Sequence, residues 1–226
     1  MGIRMRTLHH HPLSPYSRKV RLVLAERRLD FAPEPVKPWE RQEGFLLLNP
    51  AGEVPVLVEE DGLAIAHHGA ICEYLEDAYP DTTLLGRDVA VRAEVRRLTA
   101  WFDEKFGREV TDNLLGEKLM KRLSGQGQPY PQAIRAGHAN IHYHLDYIAW
   151  LAERRTWLAG DDFSLADIAA AAQLSAIDYL GDVPWDSHPE ARTWYARMKS
   201  RPAFRPLLAD HLPGVPPPRH YADLDF

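Results

Sequence analysis

The spacing of apolar and polar positions changes about one third of the way along the 226-residue chain. Before residue 80 the apolar runs are short, and they predict in order a strand at 6–10, a helix at 14–28, an edge strand at 31–36, strands at 54–58 and 63–66, and a helix at 70–79. The last two strands are joined through Asp61 and Gly62, a pair typical of hairpin turns. The order β-α-β and then β-β-α predicts a small α/β domain.

After residue 88 the apolar positions recur only at helical spacing, which predicts helices at 89–123, at 132–154, from Ser164 onward, and at 189–200. Ser164 and Asp167 have the spacing of a capping box, and Phe163 and Ile168 stand at its staple positions. The second half is therefore predicted to be all-α. We divide the chain into an α/β domain at 1–82, a linker at 83–87, a helical domain at 88–212 and a proline-rich tail at 213–226.

Ser14 is the first candidate functional residue, because it stands where the first helix should begin. Serine is a preferred N-cap residue, and Pro15 suits the first helical position. A hydroxyl at a helix start lies beside unpaired N–H donors and the positive end of the helix dipole, which stabilise an anion or a thiolate. A capping role alone is the other interpretation of Ser14.

Composition limits the classes of function. The chain is 45% hydrophobic and 26% charged with a formal net charge of −5, so we do not expect a nucleic-acid partner. The single cysteine, Cys72, excludes an internal disulfide and is expected to pack within a helix. No apolar run is long enough to span a membrane, and we expect a cytoplasmic protein. No metal site is predicted, although His138 and His142 are four residues apart on a predicted helix.

Four segments resemble the glutathione S-transferase superfamily, and they occur in the order typical of that family. They are Ser14–Val20 (SPYSRKV), Asn49–Leu57 (NPAGEVPVL), Ala70–Leu75 (AICEYL) and Phe163–Asp167 (FSLAD). The resemblance covers nearly the whole chain. It implies a thioredoxin-like α/β domain at the N-terminus followed by an all-α, transferase-type domain at the C-terminus.

The same resemblance implies a glutathione site in the first domain. Ser14 would donate a hydrogen bond to the glutathione sulfur and lower the pKa of its thiol. The backbone of Val54, ahead of a cis Pro55, would pair with the cysteinyl part of glutathione. Trp39 is a candidate ligand contact from a polar loop, and Glu53 would place a negative charge near the ligand.

His67 and His68 are where the sequence departs from the family, which usually has Glu and Ser at these positions. Imidazoles can donate hydrogen bonds to a carboxylate, but they cannot supply the anion that pairs with the γ-glutamyl ammonium. A lost charge-assisted contact costs about 1.5–3 kcal/mol, or roughly ten- to a hundred-fold in affinity. The sequence therefore predicts a retained fold with an eroded glutathione site.

The helical half is similar, more narrowly, to the FzlA-type group of transferase-like bacterial proteins, which bind the division tubulin FtsZ and bundle its filaments. The segments that carry this similarity are Asn140–His142, Trp157–Gly160, Asp178–Trp185 and His220–Phe226. It implies a non-catalytic homodimer that binds FtsZ, with candidate contacts at Glu117, Lys118, Arg135, Asp223, Asp225 and Phe226. The alternative is an enzyme in which Ser14 activates glutathione for conjugation to small electrophiles. No cofactor is expected, and glutathione would be a substrate or ligand.

Three further features of the second half bear on its surface and its core. Its basic side chains form either a solvated helix face or a site for an acidic partner; they are Arg87, Arg92, Arg96, Arg97, Lys118, Lys121 and Arg122. The tail, with alternating apolar and acidic residues, either packs across the helical domain or docks a partner. The tryptophans at 101, 150, 157 and 194 are predicted to belong to the helical core.

Overall fold

The structure, a computed structural model, describes residues 5–224, and the chain divides into two compact units at residues 1–82 and 83–226. The elements of the first unit are β1 (Thr7–His10), α1 (Pro15–Glu26), β2 (Ala32–Pro35), a 3-10 turn (Pro38–Glu40), α2 (Glu43–Leu48), β3 (Val56–Val58), β4 (Ala64–Ala66) and α3 (His68–Ala78). The sheet has the strand order β2-β1-β3-β4. β1 pairs parallel with β2, and β3 pairs antiparallel with both β1 and β4. This is the predicted thioredoxin-like arrangement.

Apolar side chains of the central strands and of α1 and α3 form the core of the first unit. Leu8 of β1 lies opposite Leu57 of β3, and both are fully buried. Two buried ion pairs accompany this core: Arg6 Nε lies 2.8 Å from Glu59 Oε2, and Arg27 pairs with Glu76. Burial of these charges is tolerated because each is paired and hydrogen-bonded.

The second unit is helical, as the sequence predicts. Its elements are α4 (Val89–Ala100), a π-helical segment (Trp101–Met120), α5 (Lys121–Ser124), α6 (Pro131–Ala152), α7 (Leu165–Tyr179), a 3-10 turn (Trp185–Ser187), α8 (Pro189–Lys199), a 3-10 turn (Pro202–Phe204), α9 (Arg205–Leu208) and a 3-10 turn (Arg219–Ala222). All residues of α7 are buried, as its alanine run indicates. Its capping box is present, with Asp167 also accepting hydrogen bonds from Leu158 N (2.9 Å) and Trp194 Nε1 (3.1 Å).

The long helix that opens this unit is not α-helical throughout. Buried side chains in its π-helical segment recur at every fourth position, at Phe102, Phe106, Val110 and Leu114. Residues four positions apart lie on the same face of a helix, so these side chains form one buried stripe. The segment packs against both α6 and α7. In the described part of the chain, no helix is long and apolar enough to cross a membrane.

The tail packs on the helical unit over its described length. Tyr221 is fully buried, and its ring lies edge-on to that of Tyr179 with centroids 5.2 Å apart. The Tyr179 hydroxyl donates to Val215 O (2.7 Å) and accepts from Leu212 N (2.9 Å). The packing interpretation therefore holds for residues 213–224.

One core assignment is wrong. Trp150 was predicted to be buried, but 48% of it is exposed on α6, and Trp101 and Trp157 are only half-buried; Trp194 is fully buried as expected. Helical spacing alone did not separate the core face of α6, which carries Ile141, Leu145 and Ile148, from the neighbouring face, because that face also carries large side chains with apolar rings.

Candidate functional site

Ser14 begins α1 as its N-cap residue, and Pro15 is the first helical residue. Its Oγ accepts a hydrogen bond from the Ser17 backbone N–H at 3.3 Å, and its own N–H donates to His11 O at 3.0 Å. The side chain is half-buried. Within residues 5–224 the Ser14 hydroxyl has no acceptor for its proton. The same group can therefore cap the helix and still donate to a thiolate.

His67 is exposed and His68 is half-buried, and both rings make contacts within the first unit. His67 has a φ of 77°, a region that few non-glycine residues adopt, and its Nδ1 accepts the Gly69 N–H at 3.2 Å, which caps α3. His68 Nδ1 lies 2.7 Å from Nζ of the buried Lys19. The ring of His68 also stacks on Tyr16 with centroids 4.5 Å apart.

The charge state of His68 follows from these contacts. Burial, and then the neighbouring Lys19 ammonium, lower the pKa of His68 to about 2. Its imidazole is therefore neutral near pH 7, with Nδ1 accepting from Lys19 and the proton on Nε2. Two imidazoles, of which that of His68 is neutral, thus stand where the family has an acid and a hydroxyl.

The remaining ligand candidates surround the start of α1. Trp39 is half-buried in the 3-10 turn, and its indole lies edge-on to His11 at 5.5 Å, so His11 links Trp39 to Ser14. The Val54–Pro55 peptide bond is cis, with Pro55 buried and Val54 half-buried. Glu53 is exposed, and its carbonyl accepts from Asn49 Nδ2 at 2.8 Å.

The partner candidates of the second unit form two groups. Glu117 Oε2 accepts from Lys121 Nζ (2.7 Å) and from Tyr130 N (2.7 Å), just before α6 begins, and Arg135 is exposed on the second turn of α6. Lys118 Nζ lies 2.6 and 2.8 Å from the two carboxylate oxygens of Asp182. These side chains therefore cluster where the π-helical segment runs beside the start of α6.

The second group is the tail. Asp223 is exposed, and Lys199 Nζ donates to its carbonyl oxygen. Gly181, next to Asp182, lies against Pro218, so the tail begins beside the first group. Asp225 and Phe226 lie outside the described residues.

Two features were not predicted from the sequence. The first is the contact between Lys19 and His68 in the first unit, which joins residues 49 positions apart, so that no local pattern signals it. The second feature is an aromatic strip of Trp101, Tyr143, Tyr147 and Trp150. The spacing of its three α6 members could have indicated a shared helix face. Over residues 5–224 no group of three or more His, Cys, Asp or Glu side chains could hold a metal ion.

Comparison with known proteins agrees with this fold. Residues 8–83 match the family model for the glutathione S-transferase N-terminal domain, and residues 142–202 match that for the C-terminal domain. A solved glutathione S-transferase from Rhodospirillum rubrum is 61% identical, with a TM-score of 0.96, over 98% of this chain and 100% of that one. The chain belongs to the glutathione S-transferase superfamily.

A narrower likeness lies within that superfamily. FtsZ-localized protein A of Caulobacter vibrioides is 53% identical over 98% of both chains. The solved structure of FzlA from C. crescentus has a TM-score of 0.95, covering 98% of this chain and 100% of that one. Maleylacetoacetate isomerase of Pseudomonas aeruginosa is more distant, at 31% identity over 92% of this chain and 98% of its own. The chain is thus a transferase-like protein of the FzlA type.

Proposed function

We propose that this protein is a non-catalytic, FzlA-type binder of FtsZ filaments. The observation that carries the proposal is the altered chemistry at the family's γ-glutamyl positions, where His68 accepts from the buried Lys19 and His67 caps α3. A glutathione ammonium would meet no carboxylate at these two positions. The 53% identity to a protein named for its localisation with FtsZ supplies the partner.

The filament contact is proposed to lie on the two groups of charged side chains in the helical unit. Arg135 and Asp223 are the exposed members, so each is available to a partner. Glu117 and Lys118 are held by Lys121 and Asp182, and these pairs fix the surface around Arg135. Opposite charges on separate groups favour a partner with a complementary pattern, which gives specificity more than affinity.

Co-sedimentation with polymerised FtsZ tests this proposal. We expect the wild-type protein to pellet with filaments, and Arg135→Glu and Asp223→Lys each to lower the pelleted fraction several-fold. The matched controls are Arg122→Glu and Asp161→Lys, which reverse exposed charges outside both groups. Failure of the wild-type protein to pellet, or equal pelleting by variants and controls, would contradict the proposal.

A homodimer is part of the proposal, because a dimer presents two filament-binding surfaces. The aromatic strip is the surface that supports it. Tyr143 is 58% and Trp150 is 48% exposed, and Trp101 lies 4.8 Å from Tyr147 between ring centroids. A contiguous exposed aromatic patch of this kind marks an interaction surface in a water-soluble unit.

A second candidate function is glutathione conjugation to small electrophiles, and the free hydroxyl proton of Ser14 favours it. If the site binds glutathione, this proton can stabilise the thiolate. Calorimetric titration with glutathione, followed by conjugation of an aromatic halide, tests this function. Activity that is lost in Ser14→Ala and retained in Ser14→Cys would support the enzyme, whereas absence of binding at millimolar glutathione would contradict it.

A further inference from the structure

The C-terminal segment is held on the helical unit by buried polar side chains, and Asp178 of α7 is central among them. Its Oδ1 accepts from Trp185 Nε1 at 2.8 Å and from His220 Nε2 at 3.0 Å. Its side chain is fully buried, and Oδ2 makes no hydrogen bond within the described part of the chain. A buried carboxylate with one oxygen unsatisfied requires positive charge nearby.

Lys199 of α8 and the tail itself meet at this carboxylate. Lys199 is fully buried, and its Nζ donates to the carbonyl oxygens of His220 (3.1 Å) and Asp223. Between them, the Tyr221 hydroxyl donates to Leu207 O at 3.0 Å. Residues 220–223 are therefore fixed from several sides, and His220 adds to this arrangement an imidazole, a group whose ordinary pKa lies near neutral pH.

We propose that His220 is a proton-dependent positioning residue: its imidazolium, bound to Asp178, holds the terminal segment in place and so fixes Asp223 on the surface. Loss of the proton removes one of the positive charges that compensate Asp178 and loosens the segment. The docking of the segment stands independently of the partner, and only its consequence for filament binding rests on the proposed function.

Charges on every neighbouring element bear on this proton. Asp178 on α7 favours it, whereas Lys199 and Arg192 on α8 oppose it. Asp186 and Asp223 line the same cleft, of about 450 Å³, from the 3-10 turn and the tail.

The hydrogen bond to Asp178 is the largest influence, and it raises the pKa of His220. Docking of the segment is thus favoured at pH values below the ordinary histidine pKa of about 6.5. It weakens as the pH rises through the raised pKa of His220.

Hydrogen exchange of the tail amides, corrected for intrinsic rates, measures this docking. We expect protection across residues 212–224 of the wild-type protein to fall several-fold between about pH 6 and about pH 8.5. His220→Gln, which can still donate to Asp178 but carries no charge, should show no such change. His211→Gln is the matched control, because it removes an exposed imidazole from the same stretch and should behave as the wild type.

One further variant and one binding readout complete the test. Tyr221→Ala should lose protection at both pH values, which shows that the assay detects undocking. The proposal is overturned if the wild type shows no pH dependence, or if His220→Gln retains it. Pelleting with FtsZ at both pH values then compares wild type with His220→Gln. If hydrogen exchange depends on pH but pelleting does not, the positioning role of His220 is supported. The tail contact of the proposed function is then contradicted.

Discussion

At the scale of single residues, the exchange of an acid and a hydroxyl for two histidines decides how the first unit can be used. His68 is neutral and bound to Lys19, so no anion at these positions is available for an ammonium group. Ser14 at its helix start and the cis Pro55 have the positions that the family resemblance implies for a glutathione site. A substitution at positions 67 and 68 therefore tests whether these two residues alone prevent glutathione binding.

The double substitution His67→Glu with His68→Ser should restore glutathione binding. A carboxylate at position 67 can pair with the γ-glutamyl ammonium, and a hydroxyl at 68 removes the ring that accepts from Lys19. We expect affinity to rise by about ten- to a hundred-fold, as measured by calorimetry. The control, His67→Gln with His68→Ser, has the same shape without the charge. Equal affinities for the two double variants would show that the missing charge is not the cause.

The sequence predicts the parts of this site that depend on local chemistry. Ser14 and Pro15 give a helix start, and the cap is confirmed. The departure at positions 67 and 68 is visible in the sequence, but its structural consequence is not. Lys19 reaches His68 only because α1 and α3 pack together, and a contact between residues so far apart in sequence depends on the tertiary fold.

At the scale of elements, the crossing of α6 and the π-helical segment depends on Gly137. A Cβ added at this glycine would lie 2.8 Å from Leu114 Cγ and 3.0 Å from Asn113 Cβ, both of which belong to the opposite helix. Gly137→Ala should therefore lower the free energy of unfolding by about 1–3 kcal/mol in urea denaturation. Gly116→Ala is the control, since its nearest neighbour would be Thr111 O at 3.9 Å. Equal stability of the two variants would show that the close approach of the helices at Gly137 does not determine stability.

A second prediction concerns the contact of α6 with the start of α8. His188 is buried, with Nε2 2.8 Å from His142 Nδ1 and Nδ1 3.1 Å from Asp146 Oδ1. Burial is the main cause that lowers the pKa of His188. A base whose pKa is lower in the folded state binds fewer protons there than when unfolded, so stability should fall as the pH drops below about 6.5.

Urea denaturation between about pH 7 and about pH 5 measures this effect, before most carboxylates titrate. His188→Gln should reduce the loss of stability over this window, because the buried group no longer titrates. His211→Gln, at an exposed position, should leave the loss unchanged. An unchanged slope in His188→Gln would assign the pH dependence to other groups.

The order and type of most elements could be predicted from periodicity, and the exceptions have physical reasons. The short α2 was missed because one and a half turns give no periodic signal. The π-helical segment was predicted only as a helix, since its apolar residues satisfy an approximate four-residue spacing that does not distinguish helix types. The tail could not be placed, because its position depends on Tyr221 entering a pocket formed by other elements.

At the scale of the whole molecule, many charged side chains are paired with a neighbour of opposite charge. Several of the basic side chains near the start of the helical unit are paired: Arg97 Nε lies 2.7 Å from Glu94 Oε2, and Lys121 and Lys118 are held by Glu117 and Asp182. The charges of these three side chains are therefore offset locally. The same unit also exposes the aromatic strip.

The aromatic strip should be the contact between two copies of this chain. Side chains of both charges lie beside its rings. Lys105, paired with Glu109, lies near Tyr143, and Arg154, paired with Glu153, lies over Trp150. In a contact with two-fold symmetry, such a surface can place the positive charges of one copy opposite the negative charges of the other.

Trp150→Glu would replace an exposed ring of that contact by a charged side chain. We expect it to raise the dissociation constant of the dimer at least about ten-fold, as measured by sedimentation. Because Trp150 is half exposed, circular dichroism should show an unchanged fold. Tyr130→Glu alters an exposed aromatic residue outside the strip and should leave the dimer intact. A dimer that survives Trp150→Glu, or a wild-type monomer, would remove the strip from the assembly and leave it as a surface for a different partner.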